Sequence, residues 1–415
     1  MGYARRDGEL CAEGVPLERI AAAVGTPVYV YSWQSVREQY ARVDRSLAAV
    51  DHRICYAVKA NSNLAILARL AKLGAGFDIV SGGELERVLR AGGEANRVVF
   101  SGVGKSTADI DFGIKCGIDA FNVESASELA RLEARARLLG CTARVSIRVN
   151  PDVDANTHPY VATGLKENKF GVPPAQALEL FSRASASPQL RVAGIDCHIG
   201  SQIADVEPFE AALTALLRLV DILGGEGIAL DHVDIGGGFG VAYGNEPALD
   251  LDVFGEVIRR TLGERPLQLR IEPGRILVAD AGALLPRVEY PKPAPAPGHR
   301  NFAVVDAAMN DLIRPALYQA WHAVEPVAEN GGGTRRWDIV GPICETGDFL
   351  ALDRDLALNE GDLLAIRTAG AYGFAQSSNY NTRPRAAEVL VDDEVFTVVR
   401  RRETISDVLR LETFA

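Results

Sequence analysis

The sequence predicts an α/β fold, a (β/α)8 barrel followed by an antiparallel β domain, and three observations carry that prediction. Short apolar runs rich in Val, Ile and Phe recur eight times in the first two thirds of the 415 residues. Helical patterns with start and stop signals lie between them. After about Ala281 the texture changes to strands without long intervening helices.

The eight runs begin near Ile54 (ICYAVKA), Phe77 (FDIV), Arg97 (RVVFSG), Asp119 (DAFNVES), Ala143 (ARVSIRVN), Val192 (VAGIDCHIG), Leu230 (LDHVDIGGG) and Gln268 (QLRIEPG). Nearly continuous apolar runs of this length suit parallel strands buried on both faces. Between them, Leu64, Leu67, Leu70 and Leu73 form one apolar stripe that stops at Gly74. Ser125 and Glu128 have capping-box spacing ahead of a helix ending at Gly140, and Phe209, Leu213, Leu216, Val220 and Leu223 repeat the helical period. Eight such units match the usual barrel size of about 250 residues. A leucine-rich repeat array is set aside for want of an LxxLxL ladder. A doubly wound open sheet is the stronger rival.

In the last third, NFAVVDAAM, RRWDIVGPI, DLLAIRTAG, AEVLVDD and EVFTVVRRR read as strands, and PKPAPAPG (Pro291–Gly298) reads as a surface excursion. TPVYVYS (Thr26–Ser32) is a further strand ahead of the barrel, placed to return the N-terminus to the β domain. The division expected is a barrel over 33–280, with 1–32 and 281–415 forming the β-rich domain.

In such a barrel the site lies at the C-terminal ends of the strands, and the unusual polar residues fall there. The first strand ends in Lys59, and the second carries Asp78. The sixth leads to His198 and Ser201, the seventh to Gly236, Gly237 and Gly238, and the eighth to Glu272, Gly274 and Arg275. On its own Lys59 suits a lysine snorkelling at the rim; the other reading is an amine desolvated so that it can attack an aldehyde. Three consecutive glycines let backbone N–H groups converge on an anion, and with Gly274-Arg275 alongside they outline a phosphate pocket. Glu272 suits the nitrogen of a pyridine ring, or else a salt bridge to Arg275 or Arg270. His198 suits a ring lying on a cofactor face, or a core histidine bonded to a carbonyl.

Bulk properties exclude other classes. Hydrophobic residues make up 47% and charged residues 24%, the balance of an ordinary globular chain. A net charge of -11 argues against a nucleic-acid partner. The N-terminus MGYARRDGEL lacks a signal-peptide core, and no run approaches the ~18 apolar residues of a membrane span. Six scattered cysteines show neither a disulfide framework nor zinc spacing, so a reduced cytoplasmic setting and no metal are expected.

The motifs YAVKANSN (56–63), FDIVSGGEL (77–85), HIGSQ (198–202), GGGFG (236–240) and EPGR (272–275) resemble those of the fold-type III pyridoxal-phosphate enzymes, which share the barrel of alanine racemase. With RPALY (314–318), GPICETGD (341–348) and GAYGFAQSSNYN (370–381), the chain most closely resembles the diaminopimelate decarboxylase family over essentially its whole length.

The resemblance implies that Lys59 carries pyridoxal 5'-phosphate as a Schiff base, His198 stacks on its ring and Glu272 meets the ring nitrogen, with Asp78 also among the cofactor-binding residues. It implies that Ser201, Gly238, the backbone at Gly274 and Arg275, and the Tyr372 hydroxyl hold the phosphate. Arg275, Arg314 and Tyr318 are implied to grip the distal carboxylate of an amino-acid substrate. In a homodimer with shared sites, Cys344 would lie near the reacting carbon, Glu345 would contact the distal amino group, and Tyr372 would also cross the interface.

The reaction implied is decarboxylation of meso-2,6-diaminopimelate to L-lysine. The nearest alternative is a sister decarboxylase acting on ornithine, arginine, D-lysine or a carrier-bound amino acid. Glu272 speaks against a racemase, in which an arginine typically faces the ring nitrogen. A non-catalytic cofactor-binding protein would not need Cys344, Glu345 or Tyr372. Lastly, the polar segment THPYVATGLKENKFG (Thr157–Gly171) suggests a lid over the barrel mouth, or an inert surface loop.

Overall fold

A computed structural model of the chain describes residues 2–153, 169–296, 298–329 and 331–414. The lid expected at 157–171 falls almost wholly outside these residues. The chain divides into two compact units, one of residues 40–241 and 247–276, the other of 1–39, 242–246 and 277–415.

In the first unit, eight strands close into a barrel. In chain order they are His52–Ala57, Gly76–Ile79, Val98–Phe100, Ala120–Val123, Ala143–Arg148, Leu190–Asp196, His232–Asp234 and Gln268–Ile271. All neighbours run parallel, and the eighth closes on the first through Leu269–His52, Arg270–Arg53 and Ile271–Ile54. The open-sheet alternative is thereby excluded. Strands two, three and four are buried at every residue, which is why, Asp78 and Asn122 apart, their sequences are apolar without alternation.

Short polar signals start and stop the helices. Asn63, Ser81, Ser106 and Ser125 each accept a first-turn N–H, and Gly117 and Gly140 end their helices in left-handed conformation. In helix Leu64–Lys72 the buried face is Ile66, Leu67 and Leu70, while Leu64 and Leu73 are exposed. An i, i+3 leucine row drifts around a helix of 3.6 residues per turn, so its ends leave the core. At Ser125 the hydroxyl accepts from Glu128, but the Glu128 carboxylate accepts from the N–H of Glu124 and not from that of Ser125.

The second unit is β-rich and mixed. A three-stranded antiparallel sheet (Tyr3–Arg6, Glu9–Ala12, Val15–Pro16) precedes two larger sheets. One has six strands in the order Val324–Pro326, Leu364–Ile366, Gly282–Leu285, Val28–Ser32, Ala387–Asp392, Val395–Arg400. The other has four, Val288–Lys292, Asn301–Val305, Arg335–Val340 and Phe349–Leu356. Pairing is mostly antiparallel, but Val28–Ser32 runs parallel to Ala387–Asp392, and Asn301–Val305 runs parallel to Arg335–Val340. The early strand Val28–Ser32 does enter this unit as a central, wholly buried strand. Its two tyrosines bury their rings because each hydroxyl finds an acceptor, Tyr29 on the Asp311 carbonyl at 2.7 Å and Tyr31 on Glu388 at 2.8 Å. All six cysteines are unpaired. Among the described residues no helix is long and apolar enough to cross a membrane.

Candidate active site

Lys59 lies just past the first barrel strand, in a single helical turn, Val58–Ala60, that follows Ala57. Its Nζ is 2.7 Å from Oδ2 of Asp78, which strand two holds with no exposure to solvent. The other Asp78 oxygen has no hydrogen-bond partner among the described residues. The lysine side chain keeps 37% of its surface, so the amine is anchored at its base by an ion pair and still reachable. Gly274 lets this turn pack against the end of strand eight: a Cβ there would stand 3.0 Å from that of Ala60 and 3.1 Å from that of Ala57.

Around this pair the barrel end is rich in acid. Asp196 and Asp234 occupy paired positions on strands six and seven, and with Glu272 they offer carboxylate oxygens within 4.8 Å of one another, all buried. Glu272 accepts from Asn122 Nδ2 at 3.2 Å and Ser101 Oγ at 3.4 Å. It does not pair with Arg270, which holds Asp119 at 2.8 Å, and Arg275 donates instead to Ser201 Oγ at 3.0 Å. Arg148 supplies positive charge through Glu124 at 3.0 Å and, more distantly, Asp196 at 3.8 Å.

Burial, reinforced by neighbouring carboxylates, pushes the acid groups of Glu272 and Asp196 well above the usual range. Asp234 is raised to about 6 by burial, opposed by the Gly236 N–H that its carboxylate accepts. His198 goes the other way, held well below its ordinary value by burial and by the Arg148 and Lys59 cations. Its Nδ1 accepts the N–H of Gly237 at 3.1 Å, so the neutral ring carries its proton on Nε2.

That bond changes the meaning of the three glycines. Gly236 donates to Asp234 and Gly237 to His198, so at least two of the three N–H groups serve the protein itself. The glycines are required chiefly by crowding. A Cβ at Gly236 would meet the Cys197 carbonyl oxygen at 2.6 Å and His198 Nδ1 at 2.7 Å, one at Gly237 would overlap the Glu272 carbonyl, and one at Gly238 would overlap that of Gly200. Gly236 and Gly238 also have positive φ, 71° and 104°.

These residues fit pyridoxal phosphate. Asp78, Asp196 and Asp234 each keep one buried carboxylate oxygen without a hydrogen-bond partner among the described residues, as does the amide oxygen of Asn122. An acceptor-rich pocket of this kind favours a cationic ring N–H. Ser201, Arg275 and Gly238 offer donors for a phosphate on the same barrel end, and Lys59 offers the amine for an aldehyde.

The remaining predicted residues belong to the β-rich unit. Arg314 is 7% exposed and opens the short helix Arg314–Tyr318. Its Nη1 lies 3.1 Å from His322 Nε2, and its guanidinium carbon lies 4.4 Å from the centre of the Tyr243 ring. Tyr318 accepts from Gln376 at 3.4 Å. Cys344 and Glu345 stand exposed on the 341–348 loop, with Glu345 hydrogen-bonded to the Tyr380 hydroxyl. The buried Asp348 fixes that loop by accepting the N–H groups of Met309 and Ile343, both at 2.7 Å. Tyr372 is half-buried with φ at +57°, between tightly packed Gly370 and Gly373.

Within their units the structure thus joins Lys59 with Asp78 and Ser201 with Arg275. It joins neither Glu272 with an arginine nor Arg314 with Glu345. Sequence reasoning missed Asp196, Asp234, Asn122, Asp348, His322 and Tyr380. An aspartate inside each of the apolar runs VAGIDC and DHVDIG was a usable signal for the first two; the others act through contacts that no local pattern announces.

Residues 33–279 match the family model for the pyridoxal-binding domain of pyridoxal-dependent decarboxylases. The chain is 59% identical to diaminopimelate decarboxylase of Pseudomonas aeruginosa over 406 residues, covering 98% of this chain and 97% of that one. Among solved structures it is similar to Helicobacter pylori diaminopimelate decarboxylase complexed with L-lysine, at 42% identity and a TM-score of 0.92, covering 95% of this chain and 98% of the other. It is also similar to the M. jannaschii enzyme in co-complex with L-lysine, at 36% identity and a TM-score of 0.94, covering 100% and 98%. A lysine set on an aspartate in an acid-rich barrel end, and likeness along the full length, agree: the chain belongs to the diaminopimelate decarboxylase family of pyridoxal-dependent decarboxylases.

Proposed function

We propose that this chain releases carbon dioxide from meso-2,6-diaminopimelate to give L-lysine, the last step of lysine biosynthesis. The observation that carries the proposal is likeness at 59% identity over 98% of the chain to a diaminopimelate decarboxylase. When bound, pyridoxal phosphate supplies the electron sink that accepts the pair left by the departing carboxylate.

The chain's own residues bind, orient and discriminate. Lys59 Nζ would hold the cofactor aldehyde, with Asp78 fixing the amine. Neutral His198, oriented through Nδ1, would lie on the ring. Glu272 would take the ring N–H, in a pocket where the buried acceptors of Asp196 and Asp234 also favour a cationic ring. Ser201, Gly238, the backbone of Gly274 and Arg275, and the hydroxyl of Tyr372 would hold the phosphate. Arg314, Arg275 and Tyr318 would grip the distal carboxylate, for which a planar two-pronged donor is suited. Glu345 would take the distal ammonium, and Cys344 would stand beside the reacting carbon. A substrate without the distal carboxylate leaves a buried arginine without its ligand, and such omissions are heavily penalised. Lysine would thereby be spared a second decarboxylation.

Exposure of Cys344 and Glu345 supports a homodimer in which these two, and Tyr372, serve the site of the second copy. Six unpaired cysteines suit the cytoplasm. The test is carbon dioxide release by purified, cofactor-loaded protein offered meso-diaminopimelate, L-ornithine, L-arginine and D-lysine separately, with Lys59→Ala as control. Turnover confined to meso-diaminopimelate and lost in the control is expected. Preference for one of the other three would overturn the substrate assignment and leave a sister decarboxylase.

A further inference from the structure

His322 lies eight residues beyond Arg314 and is fully buried. Its two ring nitrogens have distinct partners. Nδ1 lies 2.8 Å from the carbonyl oxygen of Arg367, and Nε2 lies 3.1 Å from Arg314 Nη1. A carbonyl only accepts, so Nδ1 carries a proton and donates it. A guanidinium only donates, so Nε2 presents its lone pair to Arg314. Both bonds are satisfied together by one species, the neutral imidazole protonated on Nδ1.

The acceptor end of this relay is itself anchored. Arg367 follows the strand Leu364–Ile366, donates its backbone N–H to the Ala323 carbonyl at 2.9 Å and pairs with Glu325 at 2.7 Å. Its guanidinium covers the Tyr3 ring at 4.4 Å. Tyr243 completes the setting: its ring meets His322 edge-on at 5.2 Å and lies under the Arg314 guanidinium. The arginine is therefore oriented in two directions, in its plane by the imidazole and across its plane by the phenol ring.

The chemical type of the orienting group matters. A carboxylate in the place of His322 would fix Arg314 equally well but would cancel its charge. A neutral imidazole fixes the fork without adding a negative charge against it. We propose that His322 is the positioning residue that presents Arg314 to the distal carboxylate of the substrate, and so sets the preference for a substrate with two carboxylates. This inference rests on the reading of Arg314 as part of the carboxylate clamp, and the experiment separates the two.

Cofactor-loaded full-length enzyme would be compared as wild type, His322→Asn, His322→Gln, Arg314→Ala and the Arg314→Ala/His322→Asn double variant. Asparagine can keep the bond to the Arg367 carbonyl but offers nothing at the Nε2 position. Glutamine can put an oxygen near that position and keep the bond to Arg314. We expect His322→Asn to raise KM for meso-diaminopimelate about tenfold with kcat little changed, as loss of binding shared by ground and transition states requires. Inhibition by D-lysine, which lacks the second carboxylate, should be unmoved. His322→Gln should stay within about threefold of wild type, and the double variant should be no worse than Arg314→Ala, since coupled residues are not additive.

If Arg314→Ala leaves KM for meso-diaminopimelate unchanged, the clamp reading falls and the inference falls with it. If Arg314→Ala raises KM but His322→Asn does not, the clamp stands and the role of His322 is refuted. Should His322→Asn melt too early to assay, His322→Gln decides: a tenfold rise in KM there, with the acceptor retained, would refute the positioning role.

Discussion

Replacing Gly236 by alanine is the most direct test of how the barrel end is built. The new Cβ would stand 2.6 Å from the Cys197 carbonyl oxygen and 2.7 Å from His198 Nδ1. An ordinary carbon contact of roughly 3.5 Å requires the two segments to part by about 1 Å. The nearest obstacle is backbone, which cannot rotate away, and the residue also sits at φ +71°, where a side chain costs roughly 1–2 kcal/mol. Overpacking adds about 1–3 kcal/mol, so a loss of stability of roughly 2–5 kcal/mol is expected. The displaced residue is His198, whose Nδ1 is fixed by the next glycine. Misplacing a reacting assembly by about 1 Å can cost on the order of 100-fold, so kcat/KM should fall by at least that factor, with weaker cofactor retention seen in the visible absorbance of the loaded enzyme. Gly224→Ala is the matched control. Gly224 lies in the last turn of helix Glu207–Gly225, with nothing within 4 Å of an added Cβ, and alanine should leave activity intact and stabilise by up to about 1 kcal/mol. Gly236→Ala enzyme that binds cofactor and turns over within a few-fold of wild type would refute the crowding argument.

The acid-rich end makes a pH prediction. Asp234 is raised to about 6 in the fold by burial, above its ordinary 3.8, so the folded state binds the extra proton between those values. Its contribution is therefore full below about pH 3.8 and is lost as pH rises through about 6. Asp234→Asn keeps the Oδ1 acceptor for Gly236 and removes the charge. It should stabilise cofactor-free enzyme at pH 7.5 by up to about 3 kcal/mol relative to wild type, and the gain should vanish near pH 4 in denaturant melts. A gain that is the same at both pH values would count against this account. Asp348→Asn replaces one of two acceptors by a donor facing either Met309 or Ile343; it should lower stability by about 1–3 kcal/mol and reduce turnover by loosening the loop of Cys344 and Glu345. An unchanged melting temperature would contradict it. Finally, mixing inactive Lys59→Ala with inactive Glu345→Ala should restore roughly a quarter of wild-type activity if each site draws on both copies of a two-fold dimer; no recovery after subunit exchange would place both residues in one copy's site.

What could be read from the sequence follows from how local each signal is. The barrel strands were legible because a strand buried on both faces is mostly apolar without alternation, and FDIV and AFNV each carry one polar residue, Asp78 and Asn122. Lys59, Glu272 and the glycine run were legible as chemical oddities at the ends of such strands. The reason for the glycines was not, because crowding of Gly236 against Cys197 and of Gly237 against Glu272 is set by three different strands. The aspartates at 196 and 234 meet only because strands six and seven pair in that register, and a stretch of chain says nothing of its neighbour's register. The same holds in the β-rich unit. That Val28–Ser32 is a strand was evident from VYVYS, but its place between Gly282–Leu285 and Ala387–Asp392, parallel to the latter, depends on partners more than 240 residues away. His322 is the sharpest case. A lone histidine after RPALYQAW carries no pattern, and its meaning comes from two nitrogens assigned by a carbonyl of residue 367 and a guanidinium of residue 314. Residues that touch the chemistry announce themselves by type, whereas residues that hold those in place are defined by geometry alone.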